Sequence, residues 1–157
     1  MSCIEKFSDE VISEMVGNDL DWIDVILRKP INSQRNQDEF YFQVIGHKHE
    51  LHFEITEQSG KVEGCNCGEC EHWRNNWCQY YSIFKAIQFI TANHSDIEIY
   101  LYVDSEAFLS DSLDGFYSPE RFNCEKANSF LTELFALLWA VDNSGFYDLI
   151  VERDESI

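Results

Sequence analysis

The chain is poor in proline, in glycine and in basic residues. Its 157 residues include 2 prolines, 7 glycines and 11 lysines and arginines. So few prolines and glycines argue against a linker, and 45% hydrophobic with 15% aromatic residues are too many for an intrinsically disordered chain. A chain of this length fits one domain with a substantial core. We therefore predict a single globular domain over residues 1–157, with a frayed tail at 153–157.

Long hydrophobic segments are also missing. The longest unbroken apolar run, Leu134 to Val141, is far shorter than the roughly 20 residues that a membrane-spanning helix needs. The first 14 residues contain Lys6 but no apolar segment typical of a secretory signal. We therefore expect a cytoplasmic protein, whose six cysteines are reduced or metal-bound rather than paired as disulfides.

Motifs of the common enzyme classes are missing as well. The sequence contains no G-x-S-x-G, no H-E-x-x-H, no phosphate-binding glycine loop and no dinucleotide fingerprint. Nothing therefore favours catalysis, and we expect a binding protein. A thiol-dependent enzyme is the alternative, and it would need a cysteine with a lowered pKa beside a base.

Negative charge dominates the composition. Twenty-nine acidic residues face 11 basic ones, for a net charge of −18. Such a charge disfavours nucleic acid and anionic membranes as partners, because both are polyanions. It is consistent with a solvated acidic surface and equally with attraction to a basic protein.

The hydrophobic spacing predicts an α+β domain with a mostly antiparallel sheet of about four to five strands and about four helices. Leu20, Ile23 and Leu27 favour a helix weakly, although 23, 25 and 27 also alternate as in a strand. The apolar run at 134–141 predicts one central buried helix. This helix is expected to begin at Ser118 or Asn123, and the other predicted helices begin at Ser8 and near Trp77. The predicted strands are a hairpin at 40–45 and 51–55 with its turn at 46–48, a short strand near 61–64, and strands at 97–103 and 147–151.

Four cysteines lie close together in a loop insertion at residues 65–78. Cys65, Cys67, Cys70 and Cys78 have the spacing C-x-C-x2-C-x7-C, which suits four thiolate ligands of a structural zinc. His72 and His94 are possible substitute ligands. Structural thiols without metal are an equal alternative, while a redox pair or an iron–sulfur cluster has less support. The other two cysteines, Cys3 and Cys124, stand alone as small core or surface residues.

Three histidines fall around the predicted hairpin turn. On a regular strand His47 and His49 would share one face, and His52 would point away. Two histidines at this spacing can bind a metal, but no third ligand stands out. We therefore interpret them as a polar hairpin tip.

Acidic and aromatic residues are interleaved from residue 95 to residue 120, a range without lysine or arginine. A face of carboxylates and tyrosines suits a basic protein surface, because carboxylates accept forked hydrogen bonds from arginine. The alternative is that the tyrosines pack beneath a helix. The candidate partner-binding residues are Glu98, Tyr100, Tyr102, Asp104, Glu106, Asp111 and Asp114, with Trp73 from the cysteine loop.

Four functional hypotheses follow. In size, acidity and lack of catalytic motifs the chain is similar in kind to immunity proteins, which neutralise basic nucleic-acid-targeting toxins, and to phage-type DNA mimics or anti-defence proteins. Its aromatic-rich composition favours the immunity type, because mimics tend to have thin cores. The others are a zinc-stabilised adaptor, in which Trp73 anchors the contact, and the thiol-dependent enzyme.

Overall fold

The computed structural model describes residues 20–27, 39–62, 67, 74–103 and 124–153. In these residues the chain forms five strands and two helices, which we number in chain order. The elements are β1 (Trp22–Ile26), β2 (Glu39–Lys48), β3 (Leu51–Lys61), α1 (Arg74–Asn93), β4 (Ile97–Val103), α2 (Glu125–Asn143) and β5 (Tyr147–Arg153).

The strands form one mixed sheet in the order β3-β2-β1-β4-β5. β2 is antiparallel to both β1 and β3, whereas β4 is parallel to both β1 and β5. The prediction of a mostly antiparallel sheet is therefore wrong for β1, β4 and β5, which pair in parallel. The reason is that helices make these connections. α1 joins β3 to β4 and α2 joins β4 to β5, and each helix carries the chain back to the other end of the sheet. The strand that follows each helix therefore runs in the same direction as the strand before it.

The α+β class is confirmed, but the described residues contain two helices rather than about four. The weak helix prediction at residues 20–27 is wrong, because this segment forms β1 at the centre of the sheet. Ile23 and Val25 are fully buried on one face of β1. Their alternation was the true signal, and the helical spacing of Leu20, Ile23 and Leu27 was coincidental. The helix predicted from Ser8 lies outside the described residues.

Both helices pack on the same face of the sheet. Their buried side chains join those of the strands in a single hydrophobic cluster. α2 contributes a stripe that includes Leu131, Leu134 and Leu138, while Trp139, which follows Leu138, is 54% exposed. α2 is therefore an amphipathic surface helix, not the central buried helix that the apolar run at 134–141 predicted.

The β2–β3 hairpin is confirmed, with its turn shifted. The turn lies at His49 and Glu50 rather than at 46–48, and His49 has a left-handed φ of 56°. Gly46 lies inside β2 and faces the ring of Phe53. β3 runs without interruption to Lys61, so the short strand expected near 61–64 is the end of β3. α1 begins at residue 74, so the last five residues of the predicted 65–78 insertion are helical.

Candidate functional site: the open face of the sheet

One face of the sheet carries the helices, and we call the opposite one the open face. Side chains alternate along each strand, so residues of one parity point to each face. The apolar residues of the other parity form the helix-covered core. Among the described residues no helix packs on the open face. Its side chains include Trp22, Asp24 and Ile26 on β1, Gln43, Ile45 and His47 on β2, His52 and Glu54 on β3, Glu98, Tyr100 and Tyr102 on β4, and Asp148, Ile150 and Glu152 on β5.

Strand β4 presents the alternation that its sequence predicts. Its core-facing residues are buried, whereas Glu98 is exposed and Tyr100 and Tyr102 are half-buried. The tyrosines are therefore not sealed beneath a described helix. Both aromatic rings and a carboxylate of β4 contribute to the open face.

The neighbouring strands add carboxylates that the sequence alone did not connect with β4. In register, Asp24 of β1 lies beside Tyr100, and on β5 Asp148 lies beside Glu98 and Glu152 beside Tyr102. We call the six residues Asp24, Glu98, Tyr100, Tyr102, Asp148 and Glu152 the acidic strip. Strands β1 and β4 contain no lysine or arginine, and β5 contains one arginine, Arg153, at its last position.

The acidic strip has a negative electrostatic potential, which is visible at Tyr100. The Tyr100 hydroxyl donates a hydrogen bond of 3.3 Å to Oε2 of Glu98. The pKa of Tyr100 is raised above its usual value, first by the negative charge of Glu98 and further by Asp24 and Glu152. Three carboxylates on three strands therefore act on one phenol, as a surface that attracts cations requires.

A histidine network adjoins the acidic strip at Asp24. Nε2 of His47 lies 2.6 Å from Oδ2 of Asp24, and the His47 ring stacks on Trp22 with 4.3 Å between centroids and 12° between planes. Nδ1 of His47 lies 2.5 Å from Nδ1 of His52. The His47 side chain is only 9% exposed, so a carboxylate, an indole and a second imidazole fix its orientation.

The predicted arrangement of these histidines is wrong. His47 and His52 are paired across the hairpin and share the open face, while His49 lies in the turn. The shift of the turn to His49 and Glu50 lengthens β2 and brings His47 opposite His52. The sequence reasoning also missed Asp24 as a partner, because it read residues 20–27 as helix.

Burial sets the protonation of the network. It raises the pKa of Asp24, although the adjacent His47 and Trp22 favour the ionised carboxylate. It lowers the pKa of His47, against the opposing effect of Asp24, and the nearby His52 lowers it further. With Asp24 ionised and His47 neutral, the contact between them is a hydrogen bond that Nε2–H of His47 donates to the carboxylate. The other oxygen of Asp24, Oδ1, is buried and makes no hydrogen bond with the described residues.

The cysteine prediction falls only partly on described residues. Cys78 forms a small buried cluster with Val62 and Ala127, and Cys67 packs against this cluster. Cys124, which the sequence left alone, contacts it too. Within the described ranges no three histidine, cysteine or acidic side chains are arranged to hold a metal. Cys65, Cys70, His72 and Trp73 lie outside the described residues, as do Asp104, Glu106, Asp111 and Asp114.

His94 does not belong to the cysteine region. It follows the C-terminal end of α1, 16 residues after Cys78, which corresponds to about 24 Å along a helix. Its ring lies against Phe89, and its Nε2 atom is buried without a hydrogen-bond partner in the described part of the chain. Its proposed role as a substitute zinc ligand is therefore not supported by its position.

Comparison of the chain with known proteins identifies no relative. No protein-family model, curated protein or solved structure matches the chain significantly. The functional argument therefore depends on the geometry of the open face. Neither of the two described helices is long and apolar enough to cross a membrane.

Proposed function

We propose that this chain is an acidic protein-binding inhibitor of the immunity type, which docks its acidic strip on the basic, nucleic-acid-handling surface of a toxin. The observation that carries the proposal is the register of β1, β4 and β5, which gathers four carboxylates around two half-buried tyrosines. A cytoplasmic location, as the sequence predicts, fits a protein that neutralises such a toxin inside the cell. The proposal requires no catalytic step.

The chemistry of the acidic strip fits a surface rich in arginine. A carboxylate accepts two parallel hydrogen bonds from a guanidinium, and tyrosine adds contact area with a polar end. Proteins that bind nucleic acid neutralise phosphates with lysine and arginine, so their binding surfaces have the complementary charge. Complementary charge also raises the association rate, which an inhibitor of a toxin needs.

A phage-type DNA mimic or anti-defence protein would use the same surface chemistry against a different enzyme. The well-formed core supports the immunity type, since 22 buried residues join in one cluster within the described ranges. The identity of the partner separates the two: a toxin nuclease supports immunity, and a host-defence nuclease supports the mimic.

The test compares two double variants that remove the same charge from different surfaces. Glu98→Gln with Glu152→Gln neutralises two of the four carboxylates of the acidic strip, whereas Glu133→Gln with Asp142→Asn neutralises two exposed acids of α2. We expect a pull-down from the native host to recover one stoichiometric basic protein. The purified pair is then studied as a function of salt, and we expect the strip variant to bind about tenfold more weakly, with the α2 variant near wild type. Equal weakening by both variants would show a net-charge effect and refute docking by the strip.

A zinc-stabilised adaptor is the second candidate. The observation that favours it is that Cys67 packs against the small cluster that contains Cys78, so two of the four predicted ligands lie in one region. Freshly purified protein would then contain one zinc per chain, and Cys67→Ser would lower the zinc content while Cys3→Ser would not. Sub-stoichiometric zinc in the wild type removes this candidate.

A further inference from the structure

The Asp24–His47–His52 network has a definite hydrogen-bond direction. With Asp24 ionised, Nε2–H of His47 donates to Oδ2 across 2.6 Å. A neutral imidazole has one donor and one acceptor nitrogen, so Nδ1 of His47 must accept. The donor to it is Nδ1–H of His52, across 2.5 Å. With both rings neutral, each of these two hydrogen bonds therefore has one donor and one acceptor, and the three side chains together carry a net charge of −1.

The same geometry admits one additional proton. A proton that binds Nε2 of His52 makes that ring an imidazolium, whose Nδ1 proton can pass to Nδ1 of His47. His52 then returns to a neutral ring with Nε2–H, and His47 becomes an imidazolium hydrogen-bonded to Asp24. One proton has been bound at Nε2 of His52, a second has crossed from His52 to His47, and no heavy atom has moved. The charge taken up at the half-buried His52 is thus held at the buried His47, next to the carboxylate.

A second additional proton is excluded by the short contact between the rings. If both were imidazolium ions, two N–H groups would point at each other across 2.5 Å. Two positive rings would also repel each other, and the charge of His52 is one of the causes that lower the pKa of His47. The charged or titratable residues nearest to the network in register are Asp21 before β1, Lys48 on β2, His49 and Glu50 in the turn, Glu54 on β3, and Glu98 and Tyr100 on β4.

We propose that His47 and His52 bind a single proton between them, and that this proton cancels the charge of Asp24 and weakens the binding of a cationic partner to the acidic strip. The second half rests on the proposed function. The effect on the partner follows from the position of Asp24, which accepts the hydrogen bond from His47 and also lies beside Tyr100 in the acidic strip. Acidification would therefore release a partner that neutral pH retains.

The first experiment follows the imidazole nitrogens of the intact protein by 15N NMR as the pH is lowered from about 8 to about 5. At the upper limit we expect an Nε2–H tautomer for His47 and an Nδ1–H tautomer for His52. Both rings should then titrate with a common midpoint and take up one proton in total. Two independent midpoints, or two protons bound above about pH 5, would overturn the shared-proton site.

The second experiment measures binding of a deca-arginine peptide at about pH 8 and about pH 5, at constant ionic strength. His52→Asn retains an amide N–H that can donate to His47 but cannot take up a proton, and His49→Asn is the matched control in the exposed turn. Loss of one charge close to the peptide should weaken its binding to wild type and to the control about threefold at the lower pH. The His52→Asn protein should show a smaller dependence, because it lacks the imidazole that takes up the proton and then accepts the hydrogen bond from a protonated His47.

The two experiments separate this proposal from the proposed function. An unchanged pH dependence in His52→Asn would overturn the regulation and leave the docking surface intact. Absence of salt-sensitive peptide binding at about pH 8 would refute the docking function and the regulation together. The shared proton would still be decided by the NMR titration, which needs no partner.

Discussion

Asp24 and Tyr100 occupy paired positions on the neighbouring parallel strands β1 and β4. This pair joins two features of the open face that the sequence keeps 76 positions apart. On one side, Asp24 accepts the hydrogen bond from His47, and on the other its charge raises the pKa of the Tyr100 phenol. The histidine network and the acidic strip are therefore one electrostatic unit.

The pKa of Tyr100 reports the potential of the acidic strip. Neutralising Glu98 by Glu98→Gln should lower the pKa of Tyr100, because the charge of Glu98 is the largest cause of its increase. Glu152→Gln should lower it less, because Glu152 contributes least among the three carboxylates. The measurement is the 13Cζ chemical shift of labelled tyrosine as a function of pH. An unchanged pKa in both variants would contradict the assigned geometry of the strip.

Local alternation was enough to predict β4 and β5 in the sequence. Both strands have apolar residues at every second position, and in β4 these side chains point to the core as expected. The acidic and tyrosine positions of β4 were therefore identified correctly as one face. Which strands lie beside β4 depends on how α1 and α2 return the chain, and local alternation contains no information about that.

The histidine network illustrates the same limit. The pairing of His47 with His52 depends on the location of a turn at His49 and Glu50, where a non-glycine residue adopts a positive φ. The glycine at position 46 was the more obvious turn residue, and it misled the prediction. Cys124 was likewise separated by 46 residues from Cys78, with which it shares a hydrophobic cluster. Such contacts between distant segments require the tertiary structure.

Ser82 links α1 to the start of β2, and its loss should destabilise the protein. Its hydroxyl accepts a hydrogen bond of 3.0 Å from the backbone N–H of Tyr41 and donates one of 2.7 Å to the carbonyl of Cys78. Ser82→Ala would leave the buried N–H without this acceptor, so we expect a loss of about 1–3 kcal/mol in the free energy of unfolding. Thr91→Ala is the control, because its hydroxyl bonds only carbonyls of its own helix. Urea denaturation measures both; equal losses would contradict the linking role.

Gly46 is required by the ring of Phe53. A Cβ atom at position 46 would lie 2.9 Å from Cζ of Phe53 and 3.0 Å from Cδ1 of Ile55. We expect Gly46→Ala to destabilise the protein by about 1–3 kcal/mol through overpacking. Phe53→Leu removes the clashing atom, so the double variant should lose at least about 1 kcal/mol less than the sum of the two single variants. Additive losses in denaturant titrations would show that Gly46 serves another purpose.

Buried neutral histidines should make the protein sensitive to acid. Burial lowers the pKa values of both His47 and His94 below the usual 6.5. The unfolded chain then takes up protons that the folded protein does not, so stability is complete above about pH 6.5 and decreases as the pH falls below that value. The raised pKa of Asp24 acts in the opposite sense at lower pH, because the folded carboxyl takes up its proton more readily than the unfolded one.

His94→Phe isolates one of these contributions, since His47 and Asp24 are unchanged. The variant removes the buried Nε2 atom that has no partner in the described residues, so we expect it to gain about 1 kcal/mol at neutral pH. It should also lose less stability than the wild type between about pH 7 and about pH 5.5, because one proton-linked step is gone. His49→Asn, in the exposed turn, should follow the wild type. Thermal unfolding across this pH range gives both quantities, and an identical acid slope in His94→Phe would mean that His94 is already protonated or solvated in the folded protein.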